Sequence, residues 1–399
     1  MKIFVICDSP HLFTGLARVN RNIIRGLASN NHEVIIGAWG WDQLAYPINE
    51  DSQWIYEDPF TKNKHIVFPL TKIPTQLLIQ VYEILKVIEF DIVLTMGDYW
   101  SFAGFELLKS RLDYSYKWIS YYTFESSPIN EEYYQAFDYM DEIVSPSKFG
   151  KAVVENSTGH SCHYVPYGID SNLFYKIDEK TKQNERKKRN LDEKFRFINV
   201  SKNQNRKNIP AFLEAIKIVN EEDDRAIGYL HTNCEKKTPS QVHIKNMIKR
   251  FGVEDIISLP DKKLSLDIGY SDKKLNIEYN CSDALVLSSV AEGFGFPILE
   301  AQMCGIPVVA TNCSSITELC FNKNFLVDSM KYYSSMEQEV AIIKVDDLVE
   351  KMLMVMQTTK NSDKLINFSK GFSWKLTNNR IENIISGMNK NIVIPVEEV

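Results

Sequence analysis

The sequence predicts an α/β protein built from two doubly wound domains. A short apolar strand pattern at residues 3–7 is followed by a glycine-containing turn, an amphipathic helix pattern ending near Ser29 and an apolar run at residues 34–37. The same alternation of strand, loop and helix restarts at residues 195–201 and continues through the second half of the chain. Such alternation is typical of parallel sheets covered by helices, and 399 residues suffice for two of them.

The composition is that of an ordinary globular protein. Hydrophobic residues make up 44% and charged residues 25%, and the formal net charge of −6 disfavours a nucleic-acid partner, which usually needs a concentrated basic surface. Seven scattered cysteines without a C-x-x-C pair predict neither a zinc site nor a disulfide framework. Because no apolar run is long enough to span a bilayer, we expect a cytoplasmic protein, with a peripheral membrane contact left open.

Two candidate site residues of the first half follow predicted strands. Gly15 comes after the first strand, and Glu125 comes after a strand candidate at residues 118–122. Ligands of doubly wound sheets gather at the carboxyl ends of the strands. Gly15 could therefore let a loop approach a ligand, or serve only the turn, and Glu125 could equally be an ordinary turn residue.

A pair of basic residues stands at a similar place in the second half. Arg206 and Lys207 lie between the strand at residues 195–201 and a helix pattern at residues 211–219. Arginine presents a planar fork and lysine a compact ammonium, and together they suit a diphosphate whose charge grows as its bond to a sugar breaks. Taken alone, the pair could be a solvated turn.

The most informative stretch reads EGFGFPILEA and begins at Glu292. Gly293 and Gly295 can adopt a positive φ and let a ligand approach the backbone, while Pro297 suits a first helical position. A helix start offers unpaired N–H groups and a positive dipole end to an anion. The pattern predicts Glu292 in the loop and Glu300 in the first helical turn, where their carboxylates could hold hydroxyls. A strand-to-helix turn with two solvated glutamates is the alternative.

This stretch continues into a Gly-x-Pro turn and a buried strand pattern ending at residue 311, and the whole resembles the signature of the family 4 GT-B glycosyltransferases, the glycosyl transferases group 1. The segment VPYGID at residues 165–170 resembles the place where these proteins leave their first domain. The resemblance implies the GT-B fold, in which two Rossmann-like domains face each other across a cleft. We expect an acceptor-side domain at 1–170, a nucleotide-sugar-binding domain at 171–375, and a returning helix and tail at 376–399.

The resemblance also implies an activity, a retaining hexosyltransferase that needs neither metal nor cofactor and uses a nucleotide-diphosphate sugar as donor. Arg206 and Lys207 are placed at the family's R-K or R-x-x-x-x-K motif and would stabilise the departing diphosphate. Glu292 would hold the transferred sugar and Glu300 the ribose, while Glu125 would stand where many members carry His or Asp. Further donor contacts would come from Gly15, Gly293, Phe294 and Gly295. The acceptor would be a glycan, a lipid-linked compound or another hydroxyl compound.

Other classes of protein remain open at this point. A sugar-nucleotide epimerase, a phosphorylase relative or a non-catalytic sugar-nucleotide-binding protein could have a similar two-domain fold. A dinucleotide-binding oxidoreductase would need G-x-G-x-x-G after the first strand, and the region around Gly15 lacks this motif.

Overall fold

The computed structural model describes residues 1–235, 238–261, 269–334, 337–359 and 361–387. They form an eight-stranded sheet in the N-terminal half, a six-stranded sheet in the C-terminal half and a separate two-stranded hairpin. This is the predicted α/β class with two doubly wound sheets. The N-terminal half here means residues 1–170 and the C-terminal half means the residues from 171 onward.

The N-terminal sheet consists of β1 (Lys2–Asp8), β2 (Glu33–Trp39), β3 (Trp54–Glu57), β4 (Lys64–Leu70), β5 (Ile92–Asp98), β6 (Lys117–Thr123), β7 (Glu142–Ser145) and β8 (His163–Tyr164). Their order across the sheet is β3-β4-β2-β1-β5-β6-β7-β8, and all neighbours are parallel except β3 and β4. The central strands are almost wholly buried, as expected of a sheet covered on both faces. The strand order reverses at β1, which lies between β2 and β5.

The helices of this half are α1 (Gly15–Ser29), α2 (Pro74–Val87), α3 (Glu106–Lys109), α4 (Tyr134–Phe137) and α5 (Lys148–Thr158). Side-chain caps fix two of their starts. The hydroxyl of Thr14 accepts from the Ala17 amide at the start of α1, and that of Ser147 accepts from the Gly150 amide at the start of α5. Gly15 is consequently the first residue of α1, where the glycine-containing turn predicted after the first strand meets the helix.

The C-terminal sheet consists of β9 (Phe195–Val200), β10 (Ala226–His231), β11 (Ile257–Ser258), β12 (Ala284–Leu287), β13 (Val308–Thr311) and β14 (Leu326–Val327). All neighbours are parallel in the order β11-β10-β9-β12-β13-β14. The order reverses between β9 and β12, and a crevice at the carboxyl ends of strands beside such a reversal is the usual ligand site of open α/β sheets.

The helices of this half are α6 (Glu179–Lys188), α7 (Ile209–Glu222), α8 (Ile244–Phe251), α9 (Asp272–Asn280), α10 (Phe296–Met303), α11 (Ile316–Leu319), α12 (Val345–Gln357), α13 (Ser362–Lys370) and α14 (Trp374–Ile385). Helix α10 begins one residue before Pro297, as its sequence predicts. Glu300 is the fifth residue of α10 and lies in its second turn, so the expectation of a first-turn position is wrong.

Helix α14 packs against the N-terminal half. Thr377 donates its hydroxyl proton to the Pro166 carbonyl (2.7 Å), and the amide of Asn378 donates to the Asn22 carbonyl (3.3 Å). The helix begins two residues before the predicted start of the returning segment, and residues 388–399 of the predicted tail lie outside the described residues. The domain boundaries at 170 and 375 stay predictions; the N-terminal sheet ends at Tyr164 and the C-terminal sheet begins at Phe195.

The cysteines and the helices of the described residues bear on two expectations, concerning a disulfide framework and a membrane span. All seven cysteines are unpaired, and five of them are buried. Within the described ranges, no helix is both long and apolar enough to cross a membrane.

Candidate functional site

The candidate site lies where the carboxyl ends of the two sheets face each other. Arg206 follows β9 of the C-terminal sheet and Glu125 follows β6 of the N-terminal sheet, and the arginine Nη2 lies 2.9 Å from the Glu125 Oε1. Two residues that lie far apart in the sequence are thereby brought into an ion pair. The loops after β9 and β12 are also joined, because the Val290 amide donates to the Arg206 carbonyl (2.8 Å).

The carboxylate of Glu292 is the centre of this group. It forms an ion pair with the Lys207 ammonium, lies 3.3 Å from the Arg206 Nη1 and accepts from the Ser289 hydroxyl at 2.6 Å. Only 6% of Glu292 is exposed. Burial opposes ionisation of this carboxyl, but Lys207 and Arg206 outweigh burial and lower its pKa to about 2. Glu292 is therefore ionised throughout the neutral range.

Glu125 ionises in a different range although it shares Arg206 with Glu292. Burial raises the pKa of Glu125 to about 7, against the opposing charges of Arg206 and Lys207. Two carboxyl groups in one site with pKa values pushed apart are suited to different tasks. Glu125 can take up or release a proton near neutral pH, whereas Glu292 acts as a fixed negative charge.

The loop from Gly293 to Gly295 holds the two halves close together. A β-carbon on Gly293 would lie 2.7 Å from the Thr123 Cβ at the end of β6, so this glycine is needed for close approach. Of the two glycines that can adopt a positive φ, only Gly295 does so, with a φ of 113°. Phe294 is buried and packs edge-on against the Tyr167 ring at 5.0 Å.

The backbone of the same loop can receive an anion. Ser315 donates its hydroxyl proton to the carbonyls of Glu292 and Phe294, which fixes the loop conformation. The amide N–H groups of Gly293, Phe294 and Gly295 donate to no other described residue. They precede the first turn of α10, where the helix dipole favours negative charge.

Glu300 is buried beneath the cleft and has partners in both halves. Its carboxylate pairs with the Arg18 guanidinium of α1 and accepts from the Tyr279 hydroxyl at 2.7 Å. Arg18 also pairs with Asp272 at 2.8 Å. Burial disfavours the charged guanidinium, yet Glu300 and Asp272 outweigh burial and raise the pKa of Arg18. Arg18 was not predicted, although its place one turn after Gly15 is a signal that could have found it.

Lys202 is a second residue that the sequence analysis missed. It follows β9, is exposed, and forms no ion pair with another residue in the described part of the chain, while Asp8 and Asp98 of the N-terminal half lie within electrostatic range. Although the residue as a whole is exposed, its ammonium is partly desolvated by its surroundings, and this desolvation lowers the pKa of Lys202. The signal was available, because Lys202 and Lys207 have the spacing of the R-x-x-x-x-K form of the motif with lysine in place of arginine.

Within the part of the chain that the structure describes, no group of three or more His, Cys, Asp or Glu side chains is arranged to hold a metal ion.

The contrast between Gly293 and Gly15 gives a prediction. Gly293→Ala should slow catalytic turnover about tenfold or more, since the new methyl group would force Thr123 and the C-terminal half apart. Gly15→Ala should cost far less, because its β-carbon would meet only the Phe296 ring at an ordinary 3.4 Å. Turnover of the two variants under identical conditions checks this, and a larger loss in Gly15→Ala would instead show that a ligand approaches the backbone there.

The fold is the GT-B fold, with two doubly wound sheets whose carboxyl ends face each other. Residues 194–342 match the family model described as glycosyl transferases group 1, which covers the C-terminal sheet and the loops of Arg206, Lys207, Glu292 and Glu300. The resemblance drawn from the sequence is thus supported for these residues.

Named relatives agree with this family. A segment of the chain is 26% identical over 154 residues to mannosylfructose-phosphate synthase of Agrobacterium fabrum, covering 37% of this chain and 32% of that enzyme. The chain therefore spans about a third of the length of this relative. Sucrose-phosphate synthase from Thermosynechococcus elongatus has a similar structure, with a TM-score of 0.72, 14% identity, and 97% and 98% of the two chains covered. Anabaena Alr3699/HepE, solved with UDP and glucose, has a TM-score of 0.69 at 14% identity, with 97% and 100% covered.

Proposed function

We propose that the protein transfers a hexose from a nucleotide-diphosphate sugar to an acceptor hydroxyl, with retention at the anomeric carbon and without a metal ion. The observation that carries this proposal is the convergence of Arg206, Lys207, Glu292 and Glu125 at the facing edges of two doubly wound sheets. The group 1 match over the C-terminal half supports the same class of donor.

The charge balance of the site suits a diphosphate. Arg206 and Lys207 are opposed by the carboxylates of Glu292 and Glu125, and Glu125 is largely protonated below neutral pH. When Glu125 is protonated, two cations face one carboxylate, and an anionic ligand could neutralise the second cation. Protein cations and backbone N–H groups at the start of α10 would take the place of a metal ion in binding the phosphates.

The proposed chemistry forms a bond between the acceptor oxygen and the anomeric carbon as the bond from that carbon to the phosphate oxygen breaks. The electron pair of the breaking bond passes to the diphosphate, where Arg206 and Lys207 stabilise the growing charge. Glu292, which stays ionised, would accept hydrogen bonds from sugar hydroxyls. Glu125 has a pKa near neutrality and is placed on the N-terminal side, where it could accept the proton of the acceptor hydroxyl.

Glu300 is proposed to hold the ribose hydroxyls of the donor. Its carboxylate is already held by Arg18 and the Tyr279 hydroxyl, which fix its orientation at the second turn of α10. Closure of the cleft around the donor would exclude water, which otherwise hydrolyses the sugar nucleotide.

Binding measurements test this function. Titration calorimetry with UDP-, GDP-, ADP- and CMP-sugars, in the presence of EDTA, should show selective binding of one sugar nucleotide. Binding should weaken strongly in Arg206→Ala and Glu300→Ala, whereas Arg225→Ala, which removes an exposed guanidinium paired with Asp223, should bind as the wild type does. Binding of NAD and of no sugar nucleotide would contradict the proposal.

Retention can be measured separately. Proton NMR of the first product formed from an α-linked donor should show an α-linked product, and a β-linked product would contradict retention while leaving transfer itself intact.

A further inference from the structure

A two-stranded hairpin that the sequence did not predict joins the two loops of the site. Its strands are β15 (Ser329–Tyr333) and β16 (Glu339–Ile343), which pair in antiparallel fashion outside both sheets. The Ala341 amide of β16 donates to the Val290 carbonyl (2.8 Å), two residues before Glu292. The Glu339 amide at the start of β16 donates to the Ser127 carbonyl (2.7 Å), two residues after Glu125.

The side chain of Gln338, next to the start of β16, adds hydrogen bonds between the hairpin and the N-terminal half. Its Oε1 accepts from the Ser126 hydroxyl at 2.8 Å, and its Nε2 donates to the Pro128 carbonyl and to the Tyr99 hydroxyl, each at 3.0 Å. Only 6% of Gln338 is exposed. The acceptor and both donor hydrogens of the amide are thereby used on the N-terminal half, although Gln338 itself belongs to the C-terminal half.

We propose that Gln338 is a positioning residue, which holds the loop of Glu125 against Arg206 and so sets the acceptor side of the site for transfer. This inference rests on the proposed glycosyl transfer. The hydrogen bonds to residues 126–128 fix the segment directly after Glu125, and the bond from Ala341 fixes the segment directly before Glu292. The hairpin thus sets the spacing of the two carboxylates that share Arg206.

The geometry explains why a buried amide is used at this place. A buried polar side chain is stabilising only when its hydrogen bonds are made, so Gln338 is held in one orientation and holds its partners in turn. The Tyr99 ring packs parallel to Phe124 at 5.5 Å, so the Tyr99 hydroxyl is itself fixed by the core of the N-terminal half. The chain is consequently held both before Glu125, at Phe124, and after it, at residues 126–128.

The test compares Gln338→Ala and Gln338→Met with wild type, and uses Tyr332→Ala as the control in the same hairpin. Met keeps most of the volume of Gln without its hydrogen bonds, and Tyr332 is 57% exposed. Hydrogen–deuterium exchange of the unliganded protein should be about tenfold faster at residues 124–130 in both Gln338 variants and unchanged in Tyr332→Ala. This readout does not depend on any activity.

Kinetic measurements then distinguish a role of Gln338 in positioning Glu125 from a role in stabilising the fold alone. Both Gln338 variants should lower kcat about tenfold or more with little change in the KM of the donor. The raised pKa of Glu125 predicts a limb of the wild-type pH profile near 7, and this limb should move to lower pH in the variants, because a loosened Glu125 regains water and its pKa falls. The inference would be overturned if residues 124–130 of the Gln338 variants exchanged at the wild-type rate. It would also be overturned if kcat fell while the limb of the pH profile stayed in place. If wild type itself turns over no sugar nucleotide, the proposed function fails, and the exchange result alone decides whether Gln338 fixes the loop.

Discussion

Lys207→Ala is expected to slow nucleotide release from a bound sugar nucleotide about 10²- to 10³-fold. The ammonium of Lys207 is buried against Glu292 beside the loop that would receive the diphosphate, so no water can replace it as the negative charge of the leaving group grows. Steady-state release of the nucleoside diphosphate, measured with donor at saturation, gives the value directly.

A matched surface lysine controls for the loss of a positive charge. Lys217 is half-exposed on α7 and its partner is Glu221 at 3.9 Å, so Lys217→Ala should retain wild-type turnover. A rate for folded Lys207→Ala within threefold of wild type would contradict the assignment of Lys207 to the diphosphate.

Glu292→Gln is expected to lower the free energy of unfolding by about 3–5 kcal/mol at pH 7. The amide would keep the shape of the side chain but leave the buried Lys207 ammonium without its counter-ion, while Arg206 keeps its ion pair with Glu125. Urea unfolding of wild type and variant measures the difference, and Glu221→Gln, at an exposed position on α7, serves as the control.

The ion pair of Glu292 with Lys207 predicts that the free energy of unfolding depends on pH. The pKa of Glu292 is lowered to about 2 in the folded protein and returns to its ordinary value of 4.5 on unfolding. Its contribution to stability is therefore complete above pH 4.5 and is lost as the pH falls toward 2. The stability difference between wild type and Glu292→Gln should shrink over this range, and a difference that stays constant between pH 7 and pH 3 would rule out the ion pair as its source.

Much of the fold could be predicted from the sequence because its strands are continuous apolar runs. Strands β1, β2, β6, β9 and β13 lie where the apolar runs predict them. The hairpin of β15 and β16 was missed, because its strand Ser329–Tyr333 is largely exposed and carries no buried pattern. Hydrophobic periodicity reports burial, so an exposed hairpin held by cross-domain hydrogen bonds leaves little signal.

The site could be predicted in part. Arg206 and Lys207 follow β9, Glu292 follows β12, and these two strands are neighbours in the C-terminal sheet, so the three side chains form ion pairs. Their roles stay predictions. The partnership of Arg18 with Glu300 could not be found from the sequence, because 282 residues separate them and only the facing of the two sheets brings them together. Glu125 was a candidate by position alone, and its raised pKa arises from burial that a linear sequence does not reveal.

The most direct test of the central claim is turnover of sugar nucleotides by the wild-type protein in EDTA. We expect slow release of a nucleoside diphosphate from one sugar nucleotide without an acceptor, because water can replace the acceptor hydroxyl, and faster release when a suitable hydroxyl compound is added. Glu300→Ala and Arg206→Ala should lose this release. No release from any UDP-, GDP-, ADP- or CMP-sugar, with or without hydroxyl acceptors, would contradict the account.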